Sequence, residues 1–303
     1  MTREPIYVEI RIRCSLDDLW RHTQTPELHR RWDIRFTDIR YLPRPDETQP
    51  QRFLYETRIG LGLAVRGEGE TVGVREKDDS RSSALKFSSE DPKSLIQTGA
   101  GYWKYLPTTD GIRFLTRYDY QTRFGALGRV FDAVIFRPMI GWATAWSFDR
   151  LRLWLEEGIE PATSAALSLI HGVARGVLGF IWVYQGVVPK LLFQDGGELE
   201  ILRGSGLVTG FEPRVLTLVG LAEMMFGIFL LIFWRVRSLF VVNAFALLIL
   251  VLGAMFSQPR LLVAPFNPVT LNLAMVGLGV AGFLSSSHLP TSRRCLRHPE
   301  EGS

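Results

Sequence analysis

The sequence predicts an α+β soluble domain followed by an all-α four-helix transmembrane bundle, and three observations carry that expectation. Charge falls away near residue 160: residues 1–160 hold 25 Lys/Arg and 24 Asp/Glu, whereas residues 161–303 hold 10 and 7. Four apolar runs, near 165–188, 215–234, 239–256 and 268–284, fill the charge-poor part. At ~1.5 Å per helical residue, about 20 residues cross a ~30 Å hydrocarbon layer. Ahead of the break, short alternating stretches punctuated by Gly, Pro and Asp read as strands, and they end in one long helical pattern.

In chain order, Ile6, Val8, Ile10 and Ile12 alternate with Tyr7, Glu9, Arg11 and Arg13, the period of a half-buried strand. Ser15 is placed to cap a short helix beginning at Leu16, and Thr25-Pro26-Glu27-Leu28 opens a second one leading to Trp32. Strands are predicted around 36–43, 51–59, 62–76, 83–89, 96–106 and 111–122. Their boundaries are Pro43-Arg44-Pro45, Gly60, Asp78-Asp79 and Asp110-Gly111. A helix over about 127–157 closes the domain, with Leu127, Val130, Phe131, Val134 and Ile135 on its apolar face and Pro138 kinking it. The domains expected are therefore 1–158, a linker 159–164, a membrane domain 165–288, and a basic cytoplasmic tail 289–303 carrying Arg293, Arg294 and Arg297.

Acid balances base in the first part, which leaves no electrostatic footprint for nucleic acid. Cys14 and Cys295 lie far apart with no CxxC pair, so thiol–disulfide chemistry and thiolate metal sites have no support, and no metal is expected. Palmitoylation of Cys295 in its basic tail is a weak alternative to an ordinary thiol. The N-terminus is an alternating strand rather than an apolar signal segment. Arg235 and Arg237 between the second and third runs, and the three Arg after the fourth, favour N-in/C-in topology. Residues 1–158 would then be cytoplasmic, on a bacterial cytoplasmic membrane. Arg150 and Arg152 read as solvated charge, with contact to anionic headgroups as the alternative.

Leu28-His29-Arg30-Arg31-Trp32-Asp33, Gly101-Tyr102-Trp103-Lys104-Tyr105 and Met139-Ile140-Gly141-Trp142-Ala143-Thr144-Ala145-Trp146, with the element order, resemble the SRPBCC or polyketide-cyclase-type superfamily over about 3–158. The resemblance implies a START-like helix-grip fold, a curved sheet around a helix enclosing an apolar tunnel for a lipid, polyketide or quinone-like ligand. Tyr55, Phe87, Tyr102, Trp103, Tyr105, Phe114, Tyr118, Tyr120 and Trp142 are the candidate lining, since aromatic rings bring apolar area and Tyr and Trp add a polar handle. The same rings could equally fill a core. His22, His29, Asp33, Glu56 and Asp119 are candidate acid–base groups, but they form no nucleophile–base set, and a surface or capping role suits the two histidines. The sequence names no catalytic residue.

In the first apolar run His171, Arg175, Trp182 and Gln185 share one helical face, beside a small-residue stripe of Gly172, Gly176, Gly179 and Gly186. An intramembrane Arg costs at least ~2.5–3.5 kcal/mol and needs a partner. Glu223, the one acid in the apolar runs, is the expected one, with Asn243 and Asn272 completing a polar cluster that either fixes helix register or binds a ligand, proton or quinone headgroup. Trp182-Val183-Tyr184-Gln185-Gly186-Val187-Val188-Pro189-Lys190, Gly220-Leu221-Ala222-Glu223, Pro265-Phe266-Asn267-Pro268 and Thr270-Leu271-Asn272-Leu273 resemble the DoxX-like family over about 165–285. That resemblance singles out Arg175, Gln185, Pro189, Lys190, Glu223, Pro265, Asn267 and Asn272, and links relatives to quinone-coupled or thiol-related membrane oxidoreductases. Pro189-Lys190 and Pro265 to Pro268 fall at outer span ends, as a structural lip or a shared outer-face site.

The leading functional expectation is a membrane-tethered binding module whose cavity holds a hydrophobic small molecule beside membrane lipid. A quinone-linked oxidoreductase component with a membrane redox partner is the alternative, and a structural or assembly protein the third. No cofactor is evident from the residues; quinone is the one the alternative would use.

Overall fold

The structure, a computed structural model, describes residues 4–44, 46, 48–60, 62–77, 79–195, 197–206, 208–257, 263 and 267–299. It divides into two units, Met1–Ser164 with Pro290–Ser303, and Ala165–Leu289. Pro265, Phe266 and Arg260 lie outside the described residues.

The first unit begins with β1 (Ile6–Ile12), α1 (Leu16–Gln24) and α2 (Pro26–Trp32). Ser15 caps α1 as expected, its Oγ accepting the Asp18 N–H at 3.1 Å. Six strands follow: β2 (Asp38–Tyr41), β3 (Gln51–Gly60), β4 (Leu63–Lys77), β5 (Ser80–Ser88), β6 (Ile96–Thr108) and β7 (Gly111–Thr122). All neighbours are antiparallel, in the order β1-β7-β6-β5-β4-β3-β2. The chain then forms α3 (Gly125–Phe131), a π-helical turn (Asp132–Phe136) and α4 (Arg137–Glu157). The expected break at Pro138 takes the form of that π turn, because proline has no N–H to return to the preceding turn. Gly158, at φ +68°, ends α4, and Ile159 N–H returns to the Leu153 carbonyl at 3.2 Å.

β1 is not the half-buried strand its alternation predicts: Tyr7 and Glu9 on the second face are buried as well, Glu9 pairing with the Leu296 segment and with Arg113. Ile6, Val8, Ile10 and Ile12 are buried opposite Tyr118, Thr116, Phe114 and Ile112 of β7. Phe148 of α4 stacks on Phe114 with centroids 4.5 Å apart, and Trp32 meets Phe148 edge-on, so strand, short helices and long helix share one core. A single sheet gripped by a long C-terminal helix is the helix-grip arrangement.

The opposite half of that sheet face is built differently. Tyr41, Phe53, Gly69, Phe87, Gly99 and Tyr120 lie in one row across six strands. The Phe53 ring occupies the space above Gly69, the Phe87 ring that above Gly99, and the Tyr55 ring that above Gly67. Glycine lets each ring lie flat on its neighbour strand instead of standing up from the sheet.

Residues 289–303 are expected as a separate tail, yet Pro290 onward belongs to the first unit. Glu9 and Leu296 exchange backbone hydrogen bonds of 3.0 and 2.9 Å, which adds a short segment to the free edge of β1. Thr291 N–H donates to Asp149 at 2.7 Å, and the Cys295 thiol donates to the Ala145 carbonyl at 3.3 Å. Cys295 is buried and burial pushes its thiol up to about 12, which removes it from palmitoylation. A maleimide should therefore modify Cys295 only on unfolding; rapid labelling of native protein, read by peptide mass, would contradict the docked tail. Arg150 and Arg152 are buried as well, not solvated. Arg150 donates to the carbonyls of Trp32, Arg31 and Pro161, and Arg152 binds Asp149, Glu156 and Glu157.

The second unit contains most of α5 (Pro161–Val187), then a π-helical turn (Val188–Leu192), α6 (Glu198–Ser205), α7 (Glu212–Ile232), α8 (Ser238–Ser257) and α9 (Pro268–Leu284). The first four residues of α5 are helical where a linker is expected, so only Gly158, Ile159 and Glu160 separate it from α4. Pro161–Leu192 and Glu212–Ile232 are long and apolar enough to cross a membrane, while Ser238–Gly253 and Pro268–Leu284 are shorter apolar helices.

Burial in this unit is inverted. Leu169, Phe180, Leu218, Phe245, Ile249 and Leu273 are exposed, whereas His171, Arg175, Lys190, Glu223 and Asn243 are buried. Helices α5 and α7 meet through two reciprocal glycine pairs. A Cβ on Gly227 would sit 2.7 Å from the Gly179 carbonyl oxygen, and one on Gly220 2.8 Å from that of Gly186. Gly179 and Gly186 thus form the close seam the sequence predicts; Gly172 faces the Trp234 ring instead, and Gly176 has nothing within 4 Å. Gly186→Ala should cost about 1–3 kcal/mol by forcing backbones apart. Gly176→Ala should be neutral, and equal melting shifts in detergent for the two variants would refute the seam.

Candidate functional site

The sequence offers His29 and Asp33 separately, and the structure brings them together with Arg35. His29 and Asp33 are four residues apart, on α2 and at its C-terminal cap, so they share a helical face. His29 Nε2 lies 3.1 Å from Asp33 Oδ2. Arg35 donates to the same carboxylate through Nε at 2.9 Å and Nη2 at 2.6 Å, and its backbone N–H reaches Oδ1 at 3.1 Å. Two nitrogens of the guanidinium are spent on Asp33, and the Tyr118 side chain is its other close partner.

Burial sets the protonation states. It acts to raise the Asp33 carboxyl, but the charge and hydrogen bonds of Arg35, then those of His29, outweigh it and hold the group well below the carboxylate range. Burial pushes His29 below its ordinary value, against the opposing pull of Asp33. Neutral His29 beside an ionised, acceptor-only carboxylate must carry its proton on Nε2, which leaves Nδ1 with a free lone pair.

Aromatic rings enclose this group. His29 stacks on Trp32 at 4.9 Å and meets Phe36 and Trp103 edge-on. The Arg35 guanidinium lies 5.4 Å from the Phe36 ring and 5.7 Å from that of Tyr118, and Phe36 continues onto Tyr55 at 5.6 Å. From there the half-buried rings of Tyr55, Phe53 and Phe87 make an aromatic floor over the glycine row. A cleft of about 300 Å³ lined by Asp38, Arg40, Leu54, Glu56 and Arg66 lies on the other face of the sheet, since strand parity separates these residues from Ile39, Phe53 and Tyr55.

The predicted lining residues sort by this geometry. Tyr55 and Phe87 belong to the floor. Trp103, Tyr105, Phe114, Tyr118 and Tyr120 are buried core: the Tyr105 hydroxyl bonds the Thr23 hydroxyl and the Gln24 amide, Tyr118 meets Thr144 at 2.9 Å, and Tyr120 donates to Asp132 at 2.6 Å. Tyr102 sits on the other sheet face beside Lys104, because strand parity separates it from Trp103 and Tyr105. Trp142 is exposed and stacks on Trp146. Of the other acid–base candidates, His22 bonds the Asp18 carbonyl, Glu56 is taken by Arg58 and Arg66, and Asp119 by Arg137. Phe36, Phe53 and Arg35 escape the sequence reading. Asp33 followed two residues later by Arg was the available signal.

In the second unit the expected Arg175–Glu223 pair is absent, for a reason of register. Gly179 opposite Gly227 and Gly186 opposite Gly220 put Arg175 level with Leu231, and Glu223 level with Val183. The eight-residue offset is about 12 Å along the helix. Arg175 instead donates Nη1 to the Leu230 carbonyl at 2.9 Å, Nη2 to the Val236 carbonyl at 2.8 Å and Nε to His171 Nε2 at 3.1 Å. These carbonyls belong to the last turn of α7 and the connection beyond it, so the cation caps a helix C-terminus. Phe240 covers the guanidinium at 4.8 Å.

Glu223 pairs with Lys190 at 3.0 Å, and Lys190 also reaches Glu198 of α6 at 3.2 Å and the Gln185 carbonyl at 3.3 Å. The Gln185 contribution is thus its backbone. Asn243 accepts from Trp182 Nε1 at 2.8 Å, and Asn272 is half-buried on α9. Pro189 lies in the π turn that presents Lys190. Asn267 caps α9, its Oδ1 accepting the Thr270 N–H at 3.0 Å, with Pro268 in the first turn, while Pro265 lies outside the described residues. One predicted cluster is therefore three separate groups. Among the described residues no cluster of His, Cys, Asp and Glu could hold a metal ion.

Residues 179–280 match the DoxX-like family. Among solved structures, a STAR-related lipid transfer protein from Xanthomonas axonopodis is 14% identical, with 48% of this chain and 82% of that one covered and a TM-score of 0.36. A Thermus thermophilus protein, TTHA0849, is 16% identical, with coverages of 45% and 86% and a TM-score of 0.36. The helix-grip assignment rests on strand order and the closing helix, not on these likenesses. Over 188 residues the chain is 50% identical to the uncharacterized membrane protein YndG of Bacillus subtilis (strain 168), a match covering 61% of this chain and 70% of that one. The chain belongs to the family of that membrane protein, and it carries a DoxX-like domain.

Proposed function

We propose that the protein is a membrane-anchored binding module that holds one hydrophobic molecule whose polar head offers an acceptor to Arg35 and a hydroxyl donor to His29. The head is bound at Arg35 Nη1 and His29 Nδ1, and the apolar body lies along Phe36, Tyr55, Phe53 and Phe87. The observation that carries this reading is the buried His29–Asp33–Arg35 group at one end of a half-exposed aromatic floor. Asp33 takes Nε and Nη2 of Arg35 and Nε2 of His29, so Nη1 and Nδ1 are not spent on it. Flat rings above glycines give an apolar surface with few side-chain torsions to freeze on binding.

The anchor is the second unit, read as four spans with both termini inside and residues 1–158 cytoplasmic. Exposed apolar residues on α5, α7, α8 and α9 around buried charges support that reading, since lipid accepts the first and excludes the second. The 17-residue α9 sits at the short end of the spanning range. Arg175, with every nitrogen committed, acts there as a structural cap rather than a headgroup site.

Mass spectrometry of solvent extracts from purified full-length protein tests the binding reading. A stoichiometric hydrophobic species should accompany the wild type and fall about tenfold in Arg35→Lys, which keeps the charge facing Asp33 but loses the fork. Equal recovery from both proteins would contradict the assigned head site.

A further inference from the structure

The apolar face that the sequence marks on the closing helix is turned outward. In α3 and the π turn, Phe124, Leu127, Val130, Phe131, Val134 and Ile135 recur at helical spacing and are 55%, 83%, 63%, 46%, 69% and 51% exposed. The opposite side of the same stretch is fixed to the sheet. Gly128 and Asp132 are buried, and Asp132 receives the Tyr120 hydroxyl at 2.6 Å and Arg137 at 3.3 Å. That anchoring excludes a simple rotation that would hide the apolar face. The face continues into α4 with exposed Met139 and Trp142.

We propose that this face is an interfacial docking surface, lying in the headgroup–acyl boundary of the bilayer that holds the helices of the second unit. Charge selects lipid as the occupant. Between Phe124 and Phe148 the one acid is Asp132, and it is buried and paired, whereas Arg129 is exposed on the flank. A surface of large apolar side chains with an Arg at its border and no exposed carboxylate within residues 124–148, the neighbouring Asp119 being neutralised by Arg137, suits anionic headgroups above acyl chains. Trp142 stacked on Trp146 adds the residue type that favours this boundary. The tether supplies the encounter: only three residues separate α4 from the apolar helix α5, so the surface stays at high effective concentration near the membrane. The inference rests on the bilayer location and not on ligand binding, and flotation of unlabelled protein with vesicles checks that location separately.

The test places a nitroxide at Leu127→Cys or Val134→Cys in the full chain, with Cys14→Ala, reconstituted in mixed POPC and POPG vesicles. Thr109→Cys, on the exposed β6–β7 turn, is the aqueous reference. Collision with oxygen should exceed collision with NiEDDA at 127 and 134, with the order reversed at 109. NiEDDA collision at 127 and 134 equal to that at 109 would show a water-facing surface and overturn the proposal. Low collision with both reagents would show a protein cover, from this chain or a second copy, and would overturn it equally.

Discussion

Asp33→Asn should destabilise the first unit by about 3–5 kcal/mol, because it leaves the Arg35 charge without its buried partner. Asp33 is fully buried and accepts three hydrogen bonds from Arg35 in addition to the His29 contact, so little solvent is present to replace it. Thermal or denaturant unfolding of the variant gives the number, and a change under about 1 kcal/mol would show that the pair is not structural. The same group predicts acid sensitivity with a definite sign. His29 is held below its unfolded value of ~6.5 and Asp33 below ~3.9. The unfolded chain therefore takes up both protons first. Stability from these groups is present above the unfolded values and is lost as pH falls, beginning below about 6.5 for His29 and below about 3.9 for Asp33. Asp33→Asn should flatten the lower part of that profile.

Arg175→Met should be the most damaging single change in the second unit. It removes one bond to His171 on its own helix and two to carbonyls beyond it, the latter each worth about 1–2 kcal/mol by the scale for bonds between membrane helices. The sharper test is coupling. Arg175→Met and Glu223→Gln should add within about 0.5 kcal/mol, since the register sets them about 12 Å apart. Lys190→Met and Glu223→Gln should couple, because Lys190 and Glu223 are 3.0 Å apart. Melting in detergent of the two double variants distinguishes the cases, and strong Arg175–Glu223 coupling would refute the observed register.

Local features of the sequence are what made much of the fold legible. The cap at Ser15 and the inward face of Ile6, Val8, Ile10 and Ile12 are set by neighbouring residues and appear in the structure, and the charge loss near 160 falls close to the boundary of the two units. The burial of Tyr7 and Glu9 on the other face of β1 does not follow from the alternation. Gly179 and Gly186 could be read as a seam for the same reason. What stood opposite them could not, since helix register is decided by which glycines of α7 meet them; the Arg175–Glu223 expectation failed there. Tyr102 was excludable by parity with Trp103. The tail was opaque, because the pairing of Leu296 with Glu9 joins the two ends of the chain and depends on the free edge of β1. The outward α3 face was hidden by composition, since an apolar stripe looks the same whether it meets a core or a membrane. The site was half visible: His29, Asp33, Arg35 and Phe36 are near in sequence, but Tyr55, Phe53 and Phe87 join them only through strand pairing.

Site-specific photocrosslinking tests the central claim, a hydrophobic ligand on the aromatic floor, most directly. Benzoylphenylalanine replaces Phe87 in the full-length chain within native membranes, with exposed Val74 as the reference position. The account predicts a small-molecule mass added to the β5 peptide on irradiation, and none at position 74. An unmodified β5 peptide, or equal modification at both positions, would contradict it.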